Sequence, residues 1–127
     1  MRLYNTLTRN IEQIPHQNSI IRMYLCGVTV YDKSHIGHAR TILVIDLLNR
    51  LLRDADYKVQ FVQNFTDVDD KIIKRAEEEA TSAEEIAHKF IHQYQKDFGR
   101  LNIIQADKYP KATENIAEMT NMIAKLL

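Results

Sequence analysis

The order of hydrophobic and polar positions predicts a strand, a helix and a second strand in the first half of the chain. Residues 20–26 are apolar on both faces and rich in β-forming side chains, as in a buried parallel strand. Residues 59–65 predict a second strand. Between them an apolar stripe with helical spacing starts after His35, and we expect its helix to end near residues 54–56. The stripe consists of Ile42, Ile45, Leu48, Leu51 and Leu52.

These three elements predict an α/β fold built on a parallel βαβ unit, in which ligands bind beyond the carboxyl ends of the strands. The polar residues 9–19, with Pro15, indicate a connecting loop before the first strand. We therefore assign residues 1–71 to the first half of a Rossmann-like domain and residues 72–127 to a helical segment. Two stripes indicate the later helices: Ile86, Phe90, Tyr94 and Phe98, and then Ile116, Met119, Ile123 and Leu126.

The last stripe reaches Leu127 without a Gly, Asn or Pro to end the helix. Two strands also make a poor sheet on their own, and a doubly wound domain has two such halves. We therefore expect the chain to be the front part of a longer protein.

Composition and charge restrict the classes of function. A hydrophobic content of 45% excludes a disordered tail, and 17 basic against 17 acidic residues leave no net charge to attract nucleic acid or a membrane. The charge is uneven, because residues 1–75 hold 11 basic and 8 acidic side chains and residues 76–127 hold 6 and 9. We therefore expect a polyanionic substrate to contact residues 1–75.

The single cysteine, Cys26, excludes a disulfide framework and suits a reducing compartment. The sequence has no apolar run of the ~20 residues that a membrane span needs, and residues 1–5 have no apolar signal core. We expect a soluble cytoplasmic protein with no membrane partner.

The candidate chemistry is concentrated between Cys26 and His38, where the first strand ends and the helix begins. Free N–H groups and the helix dipole favour an anion at this point. His35 and His38 share one face of the first turn, and Gly37 between them lets a phosphate or flat ring approach the backbone. Two imidazoles there suit a triphosphate whose charge builds up during transfer. Ordinary capping by two histidines is the competing interpretation.

The wider pattern resembles a known family. His-Ile-Gly-His at 35–38, after Tyr-Leu-Cys-Gly-Val-Thr-Val-Tyr-Asp at 24–32, is similar to the signature of class I aminoacyl-tRNA synthetases, in particular the cysteinyl-tRNA synthetase family. Residues 3–9 and 64–75 carry the same resemblance, which runs from residue 3 to the end of the chain. The family's second signature, Lys-Met-Ser-Lys-Ser, is missing, and 71–75 does not replace it.

The resemblance implies an enzyme that activates L-cysteine with Mg-ATP and transfers it to tRNA(Cys). It assigns Thr29, His35, Gly37 and His38 to ATP, with His35 and His38 as the catalytic pair, and Cys26, Gly27 and Thr66 to the cysteine pocket. The full-length enzyme is expected to be a monomer, and this chain alone is expected to be inactive.

Cys26 has two interpretations. A lone cysteine at a strand end is most often a small buried apolar residue. The resemblance instead makes Cys26 one of four zinc ligands, the others lying far downstream. Because zinc needs three or four protein ligands and the chain has no second cysteine, we expect this chain alone to bind zinc weakly or not at all.

Three further clusters have simpler explanations. Thr66 followed by Asp69 matches a helix capping box, which we favour over a magnesium site at Asp67, Asp69 and Asp70. His88 and His92 are expected to be a solvated pair. The glutamate runs at 77–79 and 84–85 are expected to be solvated helix surface.

Two other functions compete with this assignment. One is a related cysteine ligase that passes the same adenylate to an amino-sugar, although we expect such relatives to have Pro at the position of Val30. The other is a non-catalytic remnant that binds nucleotide, tRNA or a partner protein through the apolar stripe at 116–127.

Overall fold

A computed structural model describes residues 1–127 as four strands and four α-helices. The strands are β1 (Arg2–Asn5), β2 (Asn10–Gln13), β3 (Ile20–Leu25) and β4 (Lys58–Gln63). The helices are α1 (Ile36–Asp54), α2 (Asp70–Glu78), α3 (Ala83–Arg100) and α4 (Ile116–Leu126), with a 3₁₀ turn at Thr113–Asn115. None of these helices combines the length and apolarity that crossing a membrane requires.

The predicted parallel strand–helix–strand unit is confirmed. β3 and β4 pair in parallel with Ile21 opposite Val59 and Leu25 opposite Gln63, and α1 connects them. The helix begins directly after His35 and ends at Asp54, within the predicted limits. The carboxyl ends of both strands therefore lie beside the N-terminus of α1.

The prediction that β3 is buried on both faces is wrong. Ile21 is buried and packs with Leu52 and Phe61, with Met23 and Leu25 beside them. The alternate positions face outward, and Tyr24 is 64% exposed. Strand alternation sends Arg22 and Tyr24 to the face that no other element of this chain covers.

The buried face of α1 is also rotated from the predicted stripe. Its buried residues are Ile42, Asp46, Asn49 and Leu52, whereas Leu51 is 47% exposed. Asp46 is buried because its carboxylate accepts the Ile104 N–H at 2.8 Å and the Arg50 Nε–H at 2.8 Å. A pattern of apolar residues alone misses a polar side chain that is buried to satisfy backbone donors.

The predicted loop at 9–19 is wrong for its first part, because β2 lies there. β1 and β2 form an antiparallel hairpin with Arg2 opposite Gln13 and Asn5 opposite Asn10. Arg9 adopts the left-handed backbone conformation (φ 58°) at the end of the turn. Pro15 follows β2, so it does not disturb the pairing.

The first predicted stripe of the second half is confirmed and forms the main core. All four of its residues are buried: Ile86, Phe90, Tyr94 and Phe98. They pack with Val30, Ile42 and Phe65 from the first half and with Ile72 and Ala76 of α2. The domain boundary at residue 71 stays a prediction, and this core contains residues from both sides of it.

The sequence predicts helix for everything after residue 71. Residues 101–112 are not helical, so the prediction is wrong for this segment. They return as an extended segment along β4, where the Gln63 N–H donates to the Lys108 carbonyl (3.1 Å) and the Phe65 N–H to the Pro110 carbonyl (2.9 Å). β4 is thus hydrogen-bonded on both sides. α4 follows with no buried residue, and the second stripe is exposed along its whole length.

Candidate functional site

The candidate site lies where the ends of β3 and β4 meet the start of α1. A pocket of about 230 Å³ opens there. Four of the predicted site residues line it: Cys26, Gly27, Thr29 and His38. Thr41 and Gln63 complete its polar lining. The other three predicted site residues are neighbours in sequence of the lining residues but do not line the pocket themselves: His35, Gly37 and Thr66.

Gly27 lies in close contact with the backbone of Asn64, the residue that follows β4. A Cβ atom on Gly27 would lie 1.5 Å from the Asn64 carbonyl oxygen and 2.5 Å from its carbonyl carbon. No side chain fits at that distance, so glycine is required here by the backbone of the neighbouring strand. The fold therefore requires glycine at position 27, in addition to the pocket role predicted for it, and the sequence did not reveal this requirement.

The segments that follow the two strands stay paired beyond the regular sheet. The Thr66 N–H donates to the Val28 carbonyl at 3.2 Å, and the Val30 N–H donates to the Thr66 carbonyl at 3.3 Å. Val30 is buried in the main core. Thr66 is thereby held directly opposite Thr29, although the strands themselves end earlier.

The histidine pair caps α1. His35 is the N-cap residue, one position before the helix, and its Nδ1 accepts the Gly37 N–H at 3.0 Å. The His38 Nδ1 in turn accepts the His35 N–H at 3.2 Å. The two rings stack with their centroids 3.9 Å apart. The capping role that competed with phosphate binding is therefore present.

Capping also fixes the tautomer of both rings. A neutral imidazole has one acceptor nitrogen and one N–H, and in each ring the acceptor is Nδ1. The proton is therefore on Nε2 in both His35 and His38. Two N–H donors remain for a ligand after the cap is satisfied, so capping and ligand binding are compatible.

His38 is half-buried, whereas His35 is exposed. Burial, and to a lesser degree the charge of a protonated His35, lowers the pKa of His38 below its ordinary value. His38 is consequently neutral at pH 7 and keeps its Nδ1 free to accept the His35 N–H.

Gly37 makes room for His35. A Cβ atom on Gly37 would lie 2.8 Å from Cε1 and 2.9 Å from Nδ1 of the His35 ring. The sequence had suggested that this glycine lets a ligand approach the backbone. The structure gives it a second use, since the missing Cβ is what allows the imidazole to fold over the first helical turn.

The capping box predicted at Thr66 is wrong. The N-cap of α2 is Asp69, whose Oδ1 accepts the Lys71 N–H at 2.9 Å. The buried Asp67 carboxylate instead accepts the Thr113 N–H at 3.0 Å and the Thr113 hydroxyl. Two of the three carboxylates considered for magnesium are thus occupied by protein donors.

One ion pair and one cation–π contact join the loop between β3 and α1 to α2. Arg75 Nη1 lies 3.3 Å from the Asp32 carboxylate, and the Lys71 ammonium lies over the Tyr31 ring. His88 and His92 are both exposed, as are the glutamates of the two predicted surface runs.

Sequence reasoning missed Asn64 and Tyr24. The Asn64 Oδ1 accepts the Gly27 N–H at 2.7 Å and the Tyr24 hydroxyl at 2.8 Å, which ties the ends of β3 and β4 together. An asparagine directly after a strand is a common loop residue. Only its closeness to Gly27, 37 residues earlier in the chain, would have drawn attention to it.

The residues of this chain do not form a zinc site by themselves. Cys26 is exposed at the strand end, and no group of three His, Cys, Asp or Glu side chains is close enough to hold a metal. His38 shares the pocket, but its Nδ1 is engaged by the His35 backbone. Cys26 can supply one thiolate, which is fewer than zinc requires.

A family model described as the catalytic domain of class I (C) tRNA synthetases matches residues 12–127. The chain belongs to this family. The match covers the end of β2, the βαβ unit, the histidine pair and all four helices. The resemblance drawn from residues 24–38 and 64–75 is therefore confirmed at the level of the family.

Three curated relatives of this class I synthetase chain are cysteine–tRNA ligases. Those of Trichodesmium erythraeum and Gloeobacter violaceus are 49% and 48% identical to it over 99% of its length. That of Thermodesulfovibrio yellowstonii is 51% identical over the whole chain. The chain spans about a quarter (26%) of the length of each of these relatives.

Proposed function

We propose that this chain is part of a cysteine–tRNA ligase. The enzyme activates L-cysteine with Mg-ATP to cysteinyl-adenylate and pyrophosphate, and then transfers the cysteinyl group to the terminal ribose of tRNA(Cys). The observation that carries this proposal is the near-50% identity, over the whole chain, to proteins of that name. We further propose L-cysteine, ATP and tRNA(Cys) as its partners, a cytoplasmic location and a monomeric state.

The site residues fall into two groups according to their position, an amino-acid side and an ATP side. Cys26, Gly27 and Thr66, at the strand ends, form the amino-acid side of the site. Thr29 and the helix start hold ATP, with His35 and His38 directing their Nε2–H groups to the phosphates. Gly37 keeps His35 in place for that contact. Donors already fixed by the cap stabilise charge that develops on the phosphate oxygens without reorganising.

No general base is needed for the first step, because the attacking cysteine carboxylate is already ionised at neutral pH. The role of these residues is to place the carboxylate in line with the α-phosphate and to stabilise the charge that moves onto pyrophosphate. A neutral His38 keeps Nδ1 as the acceptor for the His35 N–H and has its Nε2–H left to donate to a phosphate oxygen.

We also propose that Cys26 is one ligand of a zinc ion whose other ligands lie outside this chain. Metal analysis of the purified 127-residue chain should then give far less than one zinc per chain, and the chain should have no cysteine-dependent exchange activity. Stoichiometric zinc, with exchange above background, would contradict the assignment of Cys26 as a lone ligand.

The deciding experiment is ATP–pyrophosphate exchange by the complete protein with cysteine, serine or alanine. We expect exchange with cysteine only, followed by transfer to tRNA(Cys). Exchange with cysteine but transfer to an amino-sugar would favour the related ligase. Absence of exchange with any amino acid would contradict the proposal and favour a non-catalytic binding role.

A further inference from the structure

Asn64 joins the two strand ends through one oxygen atom. Its Oδ1 accepts the Gly27 N–H at 2.7 Å and the Tyr24 hydroxyl at 2.8 Å. A backbone N–H can only donate, so the atom facing Gly27 must be the amide oxygen. The orientation of the Asn64 amide is therefore fixed by the chain itself.

The other end of the same amide faces Thr66. With Oδ1 on Gly27, the Nδ2 group lies 3.4 Å from Thr66 Oγ1, a long hydrogen bond. Nδ2 can only donate, so the Thr66 oxygen accepts, and the hydroxyl hydrogen of Thr66 must point elsewhere. The backbone of Thr66 is held by its pairing with Val28 and Val30, which leaves the hydroxyl as its adjustable group.

We propose that Asn64 is a positioning residue that acts in two ways. It holds the Gly27 turn against β4, and it makes the Thr66 hydroxyl a hydrogen-bond donor towards the amino-acid substrate. The second action rests on the proposed function, in which Thr66 belongs to the amino-acid side of the site. The ligand chemistry that it selects is an electron-rich acceptor, a sulfur or carboxylate oxygen of the bound amino acid.

Asn64→Asp separates these two actions. A carboxylate still accepts from Gly27 and Tyr24, so the turn is kept. It has no N–H, however, so the Thr66 hydroxyl turns to donate to the new carboxylate and offers only lone pairs to the substrate. Asn64→Ala loses both actions. Gln60→Ala is the control, since Gln60 lies exposed on β4, the strand that Asn64 follows.

The hold on the turn is measured by amide hydrogen exchange at Gly27. We expect exchange at this amide to be at least tenfold faster in Asn64→Ala and unchanged in Asn64→Asp and Gln60→Ala, because only Ala removes its acceptor (about a tenfold change for one such bond). Unchanged protection of the Gly27 amide in Asn64→Ala would overturn this part of the proposal.

The effect on Thr66 is measured by cysteine-dependent exchange with the complete protein. We expect both Asn64 variants to raise the KM for cysteine about ten- to hundredfold while the KM for ATP changes less than about threefold. A purely structural residue would be rescued by Asp. Recovery of the wild-type KM for cysteine in Asn64→Asp would therefore overturn the donor role.

Thr66→Val supplies the last test. If Asn64→Asp acts through the Thr66 hydroxyl, it should raise the KM for cysteine little further once that hydroxyl is gone. Repulsion of the substrate by the new negative charge would instead persist in the Thr66→Val background, and that result would overturn the donor role. A wild-type protein without cysteine-dependent exchange would overturn the proposed function and the donor role together, and would leave the Gly27 amide result standing.

Discussion

The strand-end side and the helix-start side of the site use the same residue type, glycine, under different constraints. The missing Cβ of Gly27 faces a carbonyl of the neighbouring backbone at 1.5 Å, whereas that of Gly37 faces the movable ring of His35 at 2.8 Å. Backbone in a paired strand cannot withdraw, but an exposed imidazole can rotate. The strand-end side is therefore fixed by the fold, and the helix-start side is held in place by a few adjustable hydrogen bonds.

The largest effect is expected on the helix-start side and on activity. His35→Ala or His38→Ala in the complete protein should slow cysteine-dependent ATP–pyrophosphate exchange by about 10²–10³-fold, because each removes one donor to the developing charge. Binding of ATP should weaken much less. Unchanged exchange in both variants would reduce the pair to a helix cap, and His88→Ala on the exposed face of α3 serves as the control.

The next effect belongs to the strand-end side and to stability. Gly27→Ala should lower the free energy of unfolding by about 3 kcal/mol or more, because its methyl group overlaps the Asn64 carbonyl and forces β3 and β4 apart. Urea unfolding measures this. Gly99→Ala is the matched control, since a Cβ there meets no atom within 4 Å and replaces a glycine inside α3. We expect that variant to gain about 0.5–1 kcal/mol.

Gly37→Ala should lower activity while leaving stability almost unchanged, whereas Gly27→Ala mainly lowers stability. The new methyl group pushes the His35 ring away from the Gly37 N–H and costs about 1 kcal/mol of capping energy. Alanine returns a similar amount, about 1 kcal/mol, as the better helix former. Urea unfolding should therefore show little change, while exchange falls towards that of His35→Ala. Full activity in this variant would mean that the position of His35 does not matter.

The smallest effect is on the pH dependence of stability. The pKa of His38 is lowered in the folded chain, so the unfolded chain binds the proton more readily between that lowered pKa and the ordinary value. The contribution of neutral His38 to the free energy of unfolding is complete above the ordinary histidine pKa. It is lost as the pH falls from that value through the lowered pKa. Denaturation midpoints of wild type and His38→Ala from pH 8 to pH 5 should therefore converge as the solution becomes more acidic. Parallel curves would contradict the lowered pKa.

The sequence was informative where nearby residues determine the local structure. The spacing of apolar residues and the residues at element ends predicted the parallel unit, the start of α1 after His35 and the buried stripe of α3. It was not informative where a distant segment decides. Asp46 is buried because residue 104 returns to it, Asp67 because Thr113 does, and Thr66 is not a cap because its backbone is paired with Val28 and Val30.

The contrast between α3 and α4 has the same origin. Both stripes have helical spacing, yet the first is buried and the second is exposed throughout. Periodicity predicts that a helix has an apolar face. Which element covers that face is a property of the tertiary fold, and in this chain α4 has no covering element.

The extended return of residues 106–112 makes α2 and α3 an excursion that leaves β4 and comes back to the same strand. Closing it joins residues 46 positions apart, as at Val62 and Lys108, and the pairing of β3 with β4 joins residues 38 apart, as at Ile21 and Val59. Loop-closure entropy grows only with the logarithm of length, so the two closures have nearly equal entropic cost. Neither closure has a kinetic advantage through length, and the core cluster that contains the α3 residues also packs against Leu25 of β3 and Tyr109 of the returning segment. The sheet and the helical pair are thus expected to form in one cooperative step, which ties the local order of the strand ends to the integrity of helices far from them.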